Sequence, residues 1–299
     1  MMAASRGALE LSDRSTPSDA NVDLKPERYV RPLTAESSGT APGRGRLNGR
    51  RVLVVGGGQR IFDEATDPIG NGRAMSLLFA REGAQVAVAD VNLASAGDTV
   101  IRIEAEGGRA FAVQADVTQE ADVRRMIDEA HHLMGGLDGM VLNVGTFGLP
   151  GLDGVSAEQW NQIYDVNVRG PMLACREALP KFADGGSIVF ISSIAALRAG
   201  SQMPVYDSSK AALGGLMRNI AHVGARRGIR VNLVYPGLVD TPNGRTAGAG
   251  RPSRGKGHIP FGRQATAWEV AYAVLFFISE ESAYVTAQTL AVDSGLSGM

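Results

Sequence analysis

From residue 51 onward, short apolar runs rich in β-branched residues alternate with longer amphipathic stretches. Apolar runs without alternation are typical of strands buried on both faces, and regular strand–helix alternation favours a doubly wound parallel sheet. We therefore predict one α/β domain, with a parallel sheet of about seven strands and helices on both faces. The predicted strands are Val52–Val55, Gln85–Ala89, Ala110–Gln114, Gly139–Asn143, Ser187–Ser192, Arg230–Tyr235 and Thr289–Val292. The predicted helices are Gly72–Glu82, Leu93–Glu106, Gln119–Met134, Ala157–Phe182, Val205–Arg227 and Ala267–Glu281.

The first 46 residues differ from the rest of the chain, because they are polar, rich in Ser, Pro, Gly and Arg, and lack sustained periodicity. Such a composition is typical of a flexible tail. An arm that docks on a neighbouring subunit is the alternative. We predict a tail over residues 1–46 and a single domain over residues 47–299.

Composition excludes several classes of partner. The net charge of −1 provides no basic field for nucleic acid or an anionic membrane. No apolar run approaches the roughly 18 residues that cross a bilayer, and the N-terminus lacks the apolar core of a secretory signal. The single cysteine, Cys175, allows no internal disulfide, and the four histidines show no metal-ligand spacing. We expect a cytoplasmic protein with neither metal nor nucleic-acid nor membrane partner.

One pair of side chains indicates chemistry. Tyr206 and Lys210 lie four residues apart in Tyr-Asp-Ser-Ser-Lys, and Ser193 lies thirteen residues before Tyr206. Residues at this spacing share a helix face, where an ammonium lowers the pKa of a phenol that otherwise titrates near about 10. A phenol tuned in this way gives and takes a proton near neutral pH. The alternative is a surface tyrosine beside a solvated lysine.

Glycines mark a second candidate site. The first predicted strand runs into Gly56-Gly57-Gly58, and Gly70-Asn71-Gly72 opens the next helix. Such glycines let the backbone approach a pyrophosphate at a helix N-terminus, although a glycine run is also typical of an ordinary turn. Asp90 ends the second strand, where a carboxylate accepts hydrogen bonds from adenosine ribose hydroxyls and repels a 2′-phosphate. Asp90 therefore favours NAD over NADP, unless it only caps the following helix.

Taken together, these motifs resemble the short-chain dehydrogenase/reductase family over roughly residues 47–299. The matching segments are Asn143-Val144-Gly145, Asn167-Val168-Arg169-Gly170, Ser192-Ser193, the Tyr-Asp-Ser-Ser-Lys segment, and Pro236-Gly237 with Thr241. The resemblance implies a Rossmann-like catalytic domain with a tetrad of Asn167, Ser193, Tyr206 and Lys210. In that tetrad Tyr206 is the acid/base, Lys210 lowers the pKa of Tyr206 and binds the nicotinamide ribose, and Ser193 donates to the substrate oxygen. Asn167 bends its helix and holds a water that links Lys210 to solvent.

The resemblance also implies a set of cofactor contacts. Gly57, Gly70 and Gly72 match the phosphate loop, although twelve residues separate Gly57 from Gly70 where the family has three, and Gly56 is an alternative first glycine. The extra residues form an insert, Gln59–Ile69. The remaining contacts are Asp90 with the ribose, Asp116 and Val117 with adenine, Asn143 and Gly145 beside the cofactor, Tyr206 and Lys210, and Pro236, Gly237, Val239 and Thr241 with the carboxamide.

We predict an NAD(H)-dependent enzyme that interconverts a secondary alcohol and a ketone, with a small molecule as substrate. Two alternatives stay open: an NADPH-dependent 3-oxoacyl-type reductase, against which Asp90 argues, and a non-catalytic dinucleotide-binding sensor, which the altered glycine loop favours. The family resemblance implies a homodimer or homotetramer. Between Thr241 and Gly262 lies the lid segment, which contains Arg245, Arg251, Arg254 and Lys256 and no acidic residue. It predicts either a lid that attracts anionic substrates or a solvated loop.

Overall fold

A single seven-stranded parallel sheet forms the centre of the molecule. The computed structural model describes residues 29–63, 65–148, 150–199, 201–249 and 259–299. The sheet has the strand order β3-β2-β1-β4-β5-β6-β9, and a separate two-stranded pair joins β7 to β8. The strands are β1 Arg51–Val55, β2 Gln85–Asp90, β3 Arg109–Gln114, β4 Leu137–Leu142, β5 Phe182–Ile191, β6 Arg230–Pro236, β7 Val239–Asp240, β8 Ala265–Thr266 and β9 Thr289–Val292.

Helices cover both faces of this sheet, and each face has its own apolar core. Residues of α2, α3 and α9 form one core, and residues of α4, α6 and α7 form the other. The helices are α1 Ala35–Ser38, α2 Asn71–Arg81, α3 Leu93–Ala105, α4 Glu120–Met134, α5 Ala157–Tyr164, α6 Gly170–Ala178, α7 Pro204–Gly224, α8 Pro242–Ala249 and α9 Ala267–Ile278. The predicted doubly wound α/β fold is confirmed.

The strand order reverses between β1 and β4, because the chain first builds outward through β2 and β3 and then returns to the other side of β1. Loops at the carboxyl ends of β1 and β4 therefore leave in opposite directions and open a crevice between them. Ligands of doubly wound sheets bind in such a crevice. The fold thus places the predicted glycine loop and the predicted catalytic residues at one edge of the sheet.

The predicted helix Ala157–Phe182 is wrong in its continuity and in its end. A π-helical turn, Asp165–Arg169, separates α5 from α6, and a 3₁₀ turn, Leu179–Lys181, follows α6. Strand β5 then begins at Phe182, ahead of the predicted start at Ser187. Proline at position 180 removes a helical donor and forces this early end. The Gly185-Gly186 pair, typical of a turn, concealed the strand.

Packed structure begins ahead of the predicted domain boundary at residue 47. Thr34 caps α1, and the Ser37 hydroxyl donates to Glu269 Oε1 of α9 at 2.9 Å. Glu82 at the end of α2 is fully buried and accepts from Arg46 Nη2 at 2.6 Å and from the Arg46 backbone N–H at 3.0 Å. These contacts are polar and distant in sequence, so the composition of the segment did not reveal them. Residues 1–28 of the predicted tail, which was predicted over residues 1–46, lie outside the described residues.

In the part of the chain that the structure describes, no helix combines the length and the apolar character needed to cross a bilayer.

Candidate active site

A cavity of about 1210 Å³ opens at the carboxyl ends of the central strands. It brings together residues that lie far apart in the sequence and that the sequence analysis singled out. Those that line it are Gly70, Gly72, Asp90, Asp116, Val117, Asn143, Gly145, Ser193, Tyr206, Lys210, Pro236, Gly237, Val239 and Thr241. Gly57 and Asn167 are the two predicted site residues that are not among its lining residues.

The glycine loop after β1 forms a tight cradle. Gly56 has a φ of +80°, which glycine adopts without strain. Its carbonyl oxygen accepts a hydrogen bond from Asn143 Nδ2 at 2.8 Å. A Cβ on Gly72 would overlap the same carbonyl oxygen. Gly56 and Gly72 therefore allow the loop, the α2 N-terminus and the end of β4 to meet closely.

Gly57 has a structural position beneath this cradle. A Cβ there would lie 2.9 Å from Val88 Cγ1 and 3.0 Å from the Val54 carbonyl oxygen. Gly56 and Gly58 line the cavity, whereas Gly57 faces the core. Its predicted cofactor contact remains a proposal.

The N-terminus of α2 has the features of an anion site. Gly70 is the N-cap and provides no side-chain cap, so the first-turn N–H groups lack that partner. The Asn71 Oδ1 atom is buried without a hydrogen-bond partner in the described part of the chain. The uncapped N–H groups fit an anionic ligand above the cradle, such as a pyrophosphate at a helix N-terminus. The Asn71 oxygen is an acceptor and fits a hydrogen-bond donor instead.

Two polar contacts of Gln59 hold the insert beside the cradle. Its first residue, Gln59, donates its backbone N–H to Ser95 Oγ at 2.6 Å, and its Oε1 accepts from the Gly70 N–H at 2.9 Å. Asp67 Oδ2 accepts from the N–H groups of Phe62 and Asp63, at 2.6 and 2.9 Å. The Asp67 carboxylate thus stabilises the insert's own turn.

Asp90 lines the cavity beside the glycine loop. Its carboxylate accepts hydrogen bonds from the backbone N–H groups of Gly58 and Asn92, each at 3.1 Å. These contacts fix the carboxylate at the mouth of the cavity. Asp116 similarly accepts from the backbone N–H and the hydroxyl of Thr118, at 2.9 and 2.8 Å.

Tyr206 and Lys210 lie on one face of α7, as their spacing predicts. The Lys210 Nζ atom is 5.9 Å from the centre of the Tyr206 ring. Lys210 is 4% exposed, and its ammonium donates to the carbonyl oxygens of Ile191 at 3.2 Å and Val144 at 3.4 Å. Burial lowers the pKa of Lys210 to about 8. A buried cation thus faces the phenol, and the alternative of a solvated lysine is wrong.

Ser193 follows β5 and lines the same cavity as Tyr206. Its backbone is extended, with a φ of −164°, and its hydroxyl oxygen accepts the Ala195 N–H at 3.2 Å. The neighbouring Ser192 has a different task, since its hydroxyl donates to the Lys210 carbonyl oxygen at 2.8 Å. Ser192 therefore joins β5 to α7, although both serines line the cavity.

Asn167 lies in the π-helical turn and is fully buried. Its amide oxygen accepts the Thr146 N–H at 2.8 Å, and its amide nitrogen donates to the Thr146 carbonyl at 2.8 Å and to Ser209 Oγ at 2.9 Å. Asn167 thus fixes the loop after β4 against α7. A Cβ on Gly145, in that loop, would lie 2.9 Å from Lys210 Nζ. Thr146 and Ser209 are contacts that no sequence pattern indicated.

The segment after β6 turns back across the cavity. Gly237 donates its N–H to the Val292 carbonyl at 2.9 Å, and a Cβ there would lie 2.6 Å from Asp293 Cβ. Thr241 Oγ1 accepts the Gly244 N–H at 3.0 Å at the start of α8.

The lid segment begins as a helix, α8. Arg245 of α8 forms an ion pair with Asp240, at 2.7 Å, and donates to the Thr66 carbonyl of the insert at 2.8 Å. The lid and the insert are therefore in direct contact. Arg251, Arg254 and Lys256 lie outside the described residues.

Over the described ranges no group of three or more His, Cys, Asp or Glu side chains could hold a metal ion. Burial raises the pKa of the Cys175 thiol well above its usual range, which makes it a packing residue.

Comparison with known proteins adds independent information. A family model described as enoyl-(acyl carrier protein) reductase matches residues 65–297. The chain is 35% identical over 266 residues to the glucose 1-dehydrogenase of Gluconobacter oxydans (strain 621H), covering 86% of this chain and 95% of that protein.

Solved structures show the same likeness. The short-chain dehydrogenase/reductase from Serratia marcescens BCRC 10948 is 31% identical, with a TM-score of 0.77, over 85% of this chain and 100% of that one. A short-chain dehydrogenase from Burkholderia cenocepacia J2315 in complex with NADP is 33% identical, with a TM-score of 0.76, over 83% of this chain and 98% of that one.

Proposed function

The chain belongs to the short-chain dehydrogenase/reductase family and is an oxidoreductase, and we propose that it interconverts a secondary alcohol and a ketone with NAD(H). The observation that carries this proposal is the buried Lys210 ammonium, which faces the Tyr206 ring in a cavity that Ser193 also lines. These three groups provide a proton donor, a charge that tunes it and a donor for the substrate oxygen.

The proton transfer is assigned to Tyr206. In the direction of ketone reduction, its hydroxyl gives a proton to the oxygen that becomes the alcohol, and in oxidation its phenolate accepts that proton. Lys210 favours the phenolate because its charge is desolvated and therefore weakly screened. Ser193 donates a hydrogen bond to the reacting oxygen and stabilises the negative charge that develops there. Asn167 positions Thr146 and Ser209 around these groups.

The residues at the other end fit a dinucleotide. A nicotinamide dinucleotide supplies or accepts the hydride when it is bound. The α2 N-terminus and the cradle of Gly56 and Gly72 suit its pyrophosphate, and Asp90 suits the adenosine ribose. The Asp90 carboxylate supports NAD(H), whereas the NADP complex of the Burkholderia cenocepacia relative favours NADP(H) as the second candidate. We also propose a homodimer or homotetramer, which light scattering at micromolar concentration tests.

A nicotinamide absorbance assay tests the function directly. The purified protein is offered aliphatic, cyclic and sugar alcohols with each oxidised cofactor, and the corresponding carbonyl compounds with each reduced cofactor. We expect turnover with at least one pair and a preference for NAD(H). The absence of turnover together with retained dinucleotide binding would favour the sensor alternative.

Tyr206→Phe is the matched variant, because the ring stays and only the hydroxyl is lost. We expect kcat to fall about 10²–10⁴-fold, the usual contribution of general acid–base catalysis, while the Kd for NAD stays nearly unchanged. A Tyr206→Phe enzyme with substantial kcat would remove Tyr206 from the proposed role.

A further inference from the structure

Charged side chains at the cavity are divided between its two ends. Asp90 and Asp116 line the adenosine end together with Arg60 of the insert, and Lys210 lies between the two ends. The substrate end of the cavity lies beyond Ser193 and Tyr206. Among the described residues that line this end, Arg198 is the only one with a charged side chain. This end therefore holds a positive charge and, in the part of the chain that the structure describes, no acidic side chain.

Arg198 reaches this position through the loop that follows Ser193. The loop forms a 3₁₀ turn, Ile194–Ala196, and the Arg198 N–H donates to the Ile194 carbonyl at 3.2 Å. The turn fixes the spacing between the hydroxyl that faces the reacting oxygen and the guanidinium five residues later. Both side chains line one cavity.

One edge of the guanidinium is already held. Arg198 Nη1 donates to the Leu296 carbonyl oxygen in the turn after β9. Within the described ranges no carboxylate forms an ion pair with Arg198, and its Nε and Nη2 groups have no protein acceptor. Arginine presents its remaining N–H groups as a rigid fork that matches a carboxylate or a similar oxyanion.

The turn that holds Arg198 is itself fixed to the cofactor side of the cavity. Asp293 accepts the N–H groups of Gly295 and Ser297, at 2.9 and 2.8 Å, on either side of Leu296. Asp293 also packs against Gly237, which belongs to the segment assigned to the nicotinamide. The Arg198 guanidinium is therefore held by backbone that is continuous with the site, which lowers the entropy cost of binding through it.

We propose that Arg198 binds an oxyanion on the substrate, so that the preferred substrates are hydroxy acids and the corresponding oxo acids. This inference rests on the proposed function, and it specifies the substrate class of that same site. The reacting carbon lies at Ser193 and Tyr206, and the carboxylate, separated from it by a few carbons, lies at Arg198. No bond to Arg198 forms or breaks during the reaction.

Binding to the NAD⁺-loaded protein provides the test, because a ketone cannot be reduced in that complex and turnover is not required. Straight-chain oxo acids, beginning at levulinate, are each compared with their primary amide by isothermal titration. We expect at least one acid to bind about tenfold more tightly than its amide, the value of one charge-assisted hydrogen bond. The preference should decrease as salt rises past about 0.1 M.

Arg198→Met should abolish the acid preference and leave amide and NAD⁺ binding nearly unchanged. Arg198→Lys should keep part of it, because lysine retains the charge and loses the fork. Arg226→Met is the matched control, since Arg226 is an exposed arginine in the turn after α7 and outside the cavity. If Arg198→Met fails to fold, Arg198→Lys alone decides whether the acid-to-amide ratio changes.

Two results would overturn the inference. One is a wild-type protein that binds no acid more tightly than its amide. The other is an equal loss of acid and amide binding in Arg198→Met, which would show that Arg198 only secures the Leu296 turn. Turnover of neutral alcohols distinguishes these failures from failure of the proposed function. If the enzyme turns over neutral alcohols but shows no preference for acids, only the inference about Arg198 is wrong. If it prefers acids in binding but shows no turnover, only the proposed function is wrong.

Discussion

The burial of Lys210 has a cost that the free protein bears before any ligand arrives. The ammonium has two carbonyl oxygens as partners and no carboxylate in the part of the chain that is described. A pKa lowered from 10.5 to about 8 means that the folded protein disfavours the charged form. One pKa unit corresponds to about 1.4 kcal/mol. At pH values where Lys210 is charged in both the folded and the unfolded protein, its burial therefore lowers the unfolding free energy by about 3 kcal/mol.

Lys210→Met should therefore stabilise the cofactor-free protein at pH 7 while abolishing activity. We expect a gain of about 1–2 kcal/mol, smaller than the penalty because two carbonyl hydrogen bonds are lost. The penalty is fully present below pH 8, and it fades between pH 8 and the unfolded pKa of 10.5, where the unfolded chain holds the extra proton. Urea unfolding of both proteins measures this. A variant with equal relative stability at pH 7 and pH 10 would contradict it.

Asp90 should set the cofactor preference through its charge. Asp90→Asn keeps a carbonyl oxygen as an acceptor for one of the two backbone N–H groups and removes the negative charge. Charges about 4 Å apart interact by about 4 kcal/mol at an effective dielectric of about 20, before screening. We expect the ratio of kcat/KM for NAD over NADP to fall at least about tenfold. A wild-type enzyme that prefers NADP, or an unchanged ratio in the variant, would remove Asp90 from this role.

At the level of the elements, the insert and α8 are in direct contact. Arg245 joins them by donating to the Thr66 carbonyl while it pairs with Asp240. Asp240 belongs to β7 and directly precedes Thr241, which lines the cavity. The insert after β1 and the lid segment after β6 are thus joined by Arg245.

Replacing residues 59–69 with a loop of the family's length should preserve the Kd for NAD to within about an order of magnitude, because the close approach of Gly56 and Gly72 is made by backbone atoms outside the insert. Hydrogen exchange in α8 should become faster, since Arg245 loses its bridge. Arg245→Ala is the matched control, which should produce the faster exchange with an intact insert. Complete loss of NAD binding would show that the insert belongs to the cofactor site.

At the scale of the whole molecule, Glu82 joins the N-terminal segment to the sheet. Burial alone would raise the pKa of Glu82, but the Arg46 side chain and the backbone N–H groups of Arg44 and Arg46 hold it below its usual value. The fully buried carboxylate therefore depends on residues ahead of β1. Removing them would leave the charge buried without a partner.

A protein that begins at residue 47 should lose about 3–5 kcal/mol of unfolding free energy relative to one that begins at residue 29, the cost of breaking a buried ion pair. Glu82→Gln in the shorter protein should restore part of the loss, because the amide carries no charge. Chemical denaturation of the three proteins measures this. Equal stability of the two lengths would show that the segment contributes nothing.

Local features of the fold could be predicted from the sequence, whereas contacts between distant residues could not. The strands follow from local runs of apolar residues, and the shared face of Tyr206 and Lys210 follows from their four-residue spacing. The sequence displays both directly. The early start of β5 was missed because glycines weaken a strand's local signal, whereas Phe182 pairs with Leu137 of β4 ahead of a register shift. The Thr146–Asn167–Ser209 contacts were missed because side-chain hydrogen bonds between distant residues leave no periodic trace.

The described part of the N-terminal segment starts at residue 29, beside the C-terminal end of the lid segment. The Arg31 N–H donates to the Phe261 carbonyl at 3.0 Å, and Arg263 Nε donates to the Arg31 carbonyl at 2.8 Å. Nearby Ile259 lines the cavity. Mutations at residues 29–31, far from the proposed catalytic residues, should therefore change how firmly the lid segment is anchored and how quickly product leaves. Natural or laboratory selection therefore has here a site for tuning turnover without altering a catalytic group.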